Sequence, residues 1–188
     1  NRHSLKTTEI LDLATMTFAP GPEMLSERIG CSAVALENPR RVLIVGGRGS
    51  ENANLSMTEV FDLDTMTFSP GPTMRTARYG CAAVALSGGD SLRCLVIGGF
   101  GAALRKLNLT EVLDLETMTF SRGPTMRAAR CGCAAVPLGG SQHCLVIGGF
   151  TKGAINLKTT EVLDLEKMEF TGYGPAMLAE RDGCAAVA

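Results

Sequence analysis

The phrase Thr-Glu-(Val/Ile)-(Leu/Phe)-Asp-Leu occurs four times in this 188-residue chain, beginning at Thr8, Thr58, Thr110 and Thr160, so its spacings are 50, 52 and 50 residues. Tandem units of that length restrict the fold to solenoids, propellers or similar arrays. A unit this short hides its apolar surface only by stacking on its neighbours, and the 45% hydrophobic content suffices for such a shared core.

The unit from Arg78 to Met126 shows the internal plan. Cys81-Ala-Ala-Val-Ala-Leu86 is a run of small and branched apolar residues, which predicts a strand buried on both faces beside a crowded axis. Ser87-Gly-Gly-Asp-Ser91 predicts a hairpin turn, and Cys94-Leu-Val-Ile97 a second buried strand antiparallel to the first. Gly98-Gly99 closes it, where missing side chains permit close backbone approach. Thr110-Glu-Val-Leu-Asp-Leu115 alternates polar and apolar residues, which predicts a half-exposed third strand. Glu116-Thr117 turns into a short fourth strand at Met118-Thr-Phe120, and Arg122-Gly-Pro124 ends the unit. Four short strands per unit without helical periodicity predict propeller blades, against the alternative of a generic antiparallel sandwich.

Three features together resemble kelch repeats: Gly-Gly after the second strand, an aromatic seven residues after an apolar position (Leu113 to Phe120, Phe61 to Phe68), and Met-x-x-x-Arg-x-Gly before the next unit. The resemblance spans essentially the whole chain. It departs where the family usually carries Tyr and Trp: Leu11, Phe61, Leu113 and Leu163 stand at the first aromatic position, Phe18, Phe68, Phe120 and Phe170 at the second, and there is no Trp. Packing between blades thereby loses aromatic area. The expected fold is all-β, a kelch-type β-propeller segment with complete four-stranded antiparallel blades at 28–74, 78–126 and 130–177. A partial blade is expected at 7–24 and the first strand of a further one at 181–188. With Asn1 at one end and a repeat begun at the other, the chain reads as an arc cut from a ring, whose first partners are the missing blades of the same chain.

Charge and motif content narrow the function. Eighteen basic residues oppose nineteen acidic ones, with no basic run longer than Arg40-Arg41, so no nucleic-acid or anionic-membrane footprint is expected. The apolar runs are too short for a membrane helix. Of seven cysteines, Cys31, Cys81, Cys133 and Cys184 recur with the repeat, and Cys94 and Cys144 stand where Val42 stands in the preceding unit. These read as reduced core thiols, hence a cytoplasmic location, although Asn54-Leu-Ser56 and Asn108-Leu-Thr110 match glycosylation sequons. His3 and His143 read as exposed turn residues, and Cys131-Gly-Cys133 lacks a second ligand pair, so no metal, cofactor or catalytic residue is expected. Gly46-Gly-Arg-Gly49 lacks the Lys-Ser/Thr ending of a phosphate loop. Met16, Met66, Met118 and Met168 recur with the repeat and read as core.

Binding residues are sought where the repeats differ. From the second Gly to the next Thr-Glu is always eleven residues (Gly47 to Thr58, Gly99 to Thr110, Gly149 to Thr160), but the side chains change. Arg48, Glu51 and Asn52 give way to Arg105 and Lys106, then to Lys152 and Asn156, as on a scaffold presenting different recognition groups, unless the loops have simply drifted. Arg28, Arg78, Arg130 and Arg181 recur once per unit. By the kelch resemblance they sit near the mouth of the central channel and favour an acidic peptide; the other reading pairs each with an acid of a neighbouring blade, such as Asp62 or Asp114. The expected function is a non-enzymatic protein-binding module, a scaffold or, as the resemblance implies, a substrate-recognition part of a ubiquitin ligase. The alternatives are a propeller enzyme such as a copper-radical oxidase, or a partial product without function of its own.

Overall fold

A computed structural model describes residues 4–36, 40–86, 92–139 and 141–187. The Ser87 to Ser91 hairpin and His3 lie outside them. The chain is all-β. Strands β1 (Glu9–Asp12) and β2 (Thr17–Pro20) form a two-stranded sheet, followed by β3 (Ser32–Leu36), β4 (Arg41–Val45), β5 (Thr58–Asp62) and β6 (Thr67–Pro70) in a four-stranded one. The second four-stranded sheet holds β7 (Ala82–Leu86), β8 (Arg93–Ile97), β9 (Thr110–Asp114) and β10 (Thr119–Arg122). The third holds β11 (Ala134–Pro137), β12 (His143–Ile147), β15 (Thr160–Asp164) and β16 (Glu169–Tyr173), with the short pair β13 (Phe150–Thr151) and β14 (Ile155–Asn156) in its loop. Each four-stranded sheet is antiparallel with strands in chain order, an arrangement compatible with propeller blades. Residues 184–187, expected within the first strand of a further blade, form no strand: they lie beside Ala135 and Val136 at the central concavity and share no ladder with a described strand. Among the described residues no helix is long and apolar enough to cross a membrane.

The sheets stack face to face. Val34, Leu36, Leu43, Val45, Val60 and Met74 of the first meet Cys81, Cys94, Val96 and Leu113 of the second, and the second meets the third through the equivalent positions. The second strand of the middle sheet, β8, is therefore covered on both faces, whereas β4 and β12 alternate buried with partly exposed residues; Leu43, Leu95 and Cys144 are wholly buried. The inner strands β3, β7 and β11 lie side by side around a concavity of about 470 Å³ walled by Ala33, Ala83 and Ala135, small residues that let three backbones converge. Just before the inner strands begin, a relay of glycines links the units: Gly80 N donates to Gly30 O, Gly132 N to Gly80 O and Gly183 N to Gly132 O, at 2.8–2.9 Å. All four have φ between +59° and +65°, and a Cβ on Gly80 would lie 2.6 Å from Cys131 Sγ.

The methionines depart from expectation. Met16, Met66, Met118 and Met168 all have φ of +51° to +56°, because each ends a hairpin turn organised by the preceding aspartate. Asp114 Oδ1 accepts the amides of Glu116 and Thr117, and Asp12, Asp62 and Asp164 repeat the pattern. These bonds hold the four carboxyls below their usual range. Met118 and Met168 pack on the preceding sheet, whereas Met66 has only the narrow β1–β2 sheet before it and is 40% exposed.

Candidate functional site

The third strand is buried rather than half-exposed, and its Thr-Glu pair explains why. Neighbouring residues in a strand point to opposite faces. The threonine hydroxyl donates to a proline carbonyl in the linker that follows its sheet: Thr58 to Pro72, Thr110 to Pro124 and Thr160 to Pro175, at 2.6–2.8 Å. The glutamate faces the linker that precedes it. Glu59 accepts the amides of Leu25 and Ser26 and the Arg28 guanidinium at 2.7 Å. Glu111 holds Arg75 N, Thr76 N and Arg78, and Glu161 holds Arg127 N, Ala128 N and Arg130. The other guanidinium nitrogen of each arginine caps two carbonyls, Gly46 and Met57, Gly98 and Leu109, or Gly148 and Thr159.

This clasp corrects two expectations. Arg28, Arg78 and Arg130 do not converge on a channel mouth: their side chains are 0% exposed, and nearly every donor is satisfied inside the protein. Their acids are Glu59, Glu111 and Glu161, not Asp62 and Asp114, because those aspartates sit at the far end of the third strand and organise turns. Arg181 is exposed, with its backbone bridged to Leu157.

The loops after Gly-Gly do share one frame. Each contains a short 3-10 turn, Ser50–Asn52, Ala102–Leu104 and Lys152–Ala154, whose central residue is left-handed at φ of +59°, +49° and +79°. The glycines before them let the next linker approach, since a Cβ on Gly46, Gly98 or Gly148 would lie 2.5–2.6 Å from the carbonyl oxygen of Arg78, Arg130 or Arg181. Glu51, Asn52, Arg105 and Lys152 are exposed on the loops. Arg48, Lys106 and Asn156 are half-buried at the loop bases, where Arg48 and Phe100 bridge to Asn54 and Lys106, and Phe150 pairs with Asn156.

Across the loop bases runs a strip of aromatic and cationic groups. The Arg48 guanidinium lies 4.1 Å over the Tyr79 ring, and Tyr79 stacks on Phe100 at 5.7 Å with 10° between planes. Phe100 meets Phe150 edge-on at 5.5 Å, and Lys106 Nζ lies 5.1 Å from the first ring and 5.4 Å from the second. The strip spans three sheets, and Asn54 Nδ2 stitches two of them by donating to the carbonyls of Phe100 and Gly101. Beside it a cleft of about 440 Å³ is lined by Arg105, Lys106, Ala129, Thr151 and Lys152, so three of the predicted residues come together. Glu51 and Asn52 are not among its lining residues. Tyr79, Phe100 and Phe150 escaped the sequence reading; the signal available was that both phenylalanines directly follow Gly-Gly.

Among the described residues no group of three or more His, Cys, Asp or Glu is placed to hold a metal. His143 sits half-buried within β12, opposite Asp164, rather than in a turn. Cys131 is buried, its Sγ 3.5 Å from Gly80 O, filling the space over that glycine. No disulfide joins the cysteines of the described residues, and burial pushes the thiols of Cys81, Cys94, Cys133 and Cys144 up to about 12. Compared with protein-family models and with curated proteins, the chain matches none.

Proposed function

We propose that this chain is a kelch-type propeller segment acting as a non-enzymatic protein-binding module, which takes an acidic peptide segment across its loop face. The observation that carries the reading is the Arg48–Tyr79–Phe100–Lys106–Phe150 strip beside the Arg105–Lys152 cleft. Half-exposed tyrosine, phenylalanine and arginine held rigid by their neighbours are the composition of interface hot spots, since large rings contribute area at little entropic cost. Four cations within one loop face, Arg48, Arg105, Lys106 and Lys152, favour carboxylates and speed encounter with an acidic partner. The mutual packing of the strip already orders it before a partner arrives.

The experiment is selection of peptides from a random display library against the full chain. Enriched sequences carry Asp or Glu next to an apolar residue, and Phe100→Ala with Lys106→Ala weakens them by about tenfold or more, as for a hot-spot pair. Peptides without acidic enrichment, or unchanged affinity in that variant, would remove the assignment.

A further inference from the structure

A second cavity, lined by none of the strip's residues, lies at one end of the second four-stranded sheet, between the linkers that precede and follow that sheet, with a volume of about 540 Å³, within the range of small-molecule sites. Its walls include Arg75 and Arg122, the hydroxyl residues Thr76 and Thr125, and the partly exposed Leu109. Arg78 and Glu111 also line it, but they neutralise one another at 2.9 Å. Both oxygens of Glu111 are further occupied by the amides of Arg75 and Thr76. Two guanidinium groups are left over. Among the described residues neither Arg75 nor Arg122 forms an ion pair.

This junction differs from its counterparts in the residues that matter. Leu25 and Leu178 stand at the place of Arg75, and Pro20 and Pro70 at the place of Arg122. The remaining equivalent, Arg127, lies over the Tyr173 ring at 5.9 Å. The clasp itself also differs here. Arg28 Nε and Arg130 Nε donate to their glutamates at 3.2 and 3.3 Å, whereas Arg78 Nε is buried without an acceptor.

We propose that this cavity binds a phosphate monoester. Two guanidinium forks match a dianion with three terminal oxygens, and the two threonine hydroxyls add uncharged donors. The apolar wall at Leu109 and a volume larger than the anion needs assign the remaining space to the organic part of the ester. The site is independent of the strip, so either reading stands if the other fails.

The test is calorimetric titration of the full chain with inorganic phosphate, O-phosphoserine, and a phosphoserine peptide alongside its unphosphorylated form. O-phosphoserine is expected to bind saturably and more tightly than inorganic phosphate. Arg75→Gln with Arg122→Gln should weaken it about tenfold or more, because charged hydrogen bonds are lost, while Arg105→Gln with Lys152→Gln leaves it unchanged. Both arginines of the first variant are exposed, so an unaltered urea midpoint is expected to accompany the loss. A phosphopeptide that outbinds the free amino acid identifies a protein side chain as the source; equal affinity identifies a small metabolite. No saturable binding, equal binding of phosphate alone, or equal loss in both variants overturns the proposal.

Discussion

Replacing Arg130 by Met tests the clasp directly. Arg130 donates five hydrogen bonds: two to Glu161 Oε1, two to the carbonyls of Gly148 and Thr159, and one to Thr159 Oγ1. Both partners of the ion pair are 0% exposed. The methionine fills much of the volume, but Glu161 is left as a buried anion held only by the amides of Arg127 and Ala128, at 2.7 and 3.0 Å. Breaking one side of a buried pair costs about 3–5 kcal/mol, because the surviving charge remains desolvated. Removing Glu161 as well, in Arg130→Met with Glu161→Leu, should cost less than the two single changes summed, by a coupling of about 2–3 kcal/mol. Urea unfolding followed by circular dichroism reads both quantities from shifts in midpoint at constant slope. A loss below about 1 kcal/mol for Arg130→Met, or strict additivity in the cycle, would refute the view that this pair anchors the linker to the sheet.

Three further outcomes follow from the same geometry. Gly80→Ala should cost about 2 kcal/mol or more in urea unfolding, from left-handed strain and the contact with Cys131 Sγ, with part restored by Cys131→Ala; Gly139→Ala, where nothing lies within 4 Å, is the neutral control. In native protein, iodoacetamide should label the exposed Cys31 and half-buried Cys184 first, leaving Cys81, Cys94, Cys133 and Cys144, with thiols near 12, until urea is added; peptide mass mapping reads the order. Because the turn aspartates have lowered folded values, the stability they supply is present above the unfolded carboxylate value of about 4 and is lost as pH falls through the folded ones. Asp62→Asn with Asp114→Asn should flatten the acid limb of a stability–pH curve.

The strands were legible because each apolar run is bounded by glycine or turn residues, and the runs at Ala82, Arg93, Thr110 and Thr119 form where the pattern put them. The clasp was half legible. Arg28, Arg78 and Arg130 stood out by recurrence, but Glu59, Glu111 and Glu161 recur as faithfully, and period alone does not say which acid of the third strand faces the linker. That depends on which end of the strand meets it. The strip was not legible as a unit, because its members come from three repeats and are not copies: Arg48 occupies the place of Phe100 and Phe150. Only the stacking of sheets brings Tyr79 under the Arg48 guanidinium. Cys131, considered in the sequence only as half of a Cys-Gly-Cys pair too small for a metal site, fills the gap that Gly80 leaves.

The position of the clasp bears on where such a chain divides into units. Arg28 and Glu59 lie within one stretch of about fifty residues, as do Arg78 with Glu111 and Arg130 with Glu161, together with the amides each glutamate holds. A segment taken from one Met-x-x-x-Arg to the next therefore carries both halves of its own fastening. A unit excised at that boundary keeps its own fastening, whereas one excised between the arginine and the glutamate carries a stranded charge towards each end. The stretch that is fastened within itself thus runs from linker to linker, and not from hairpin to hairpin.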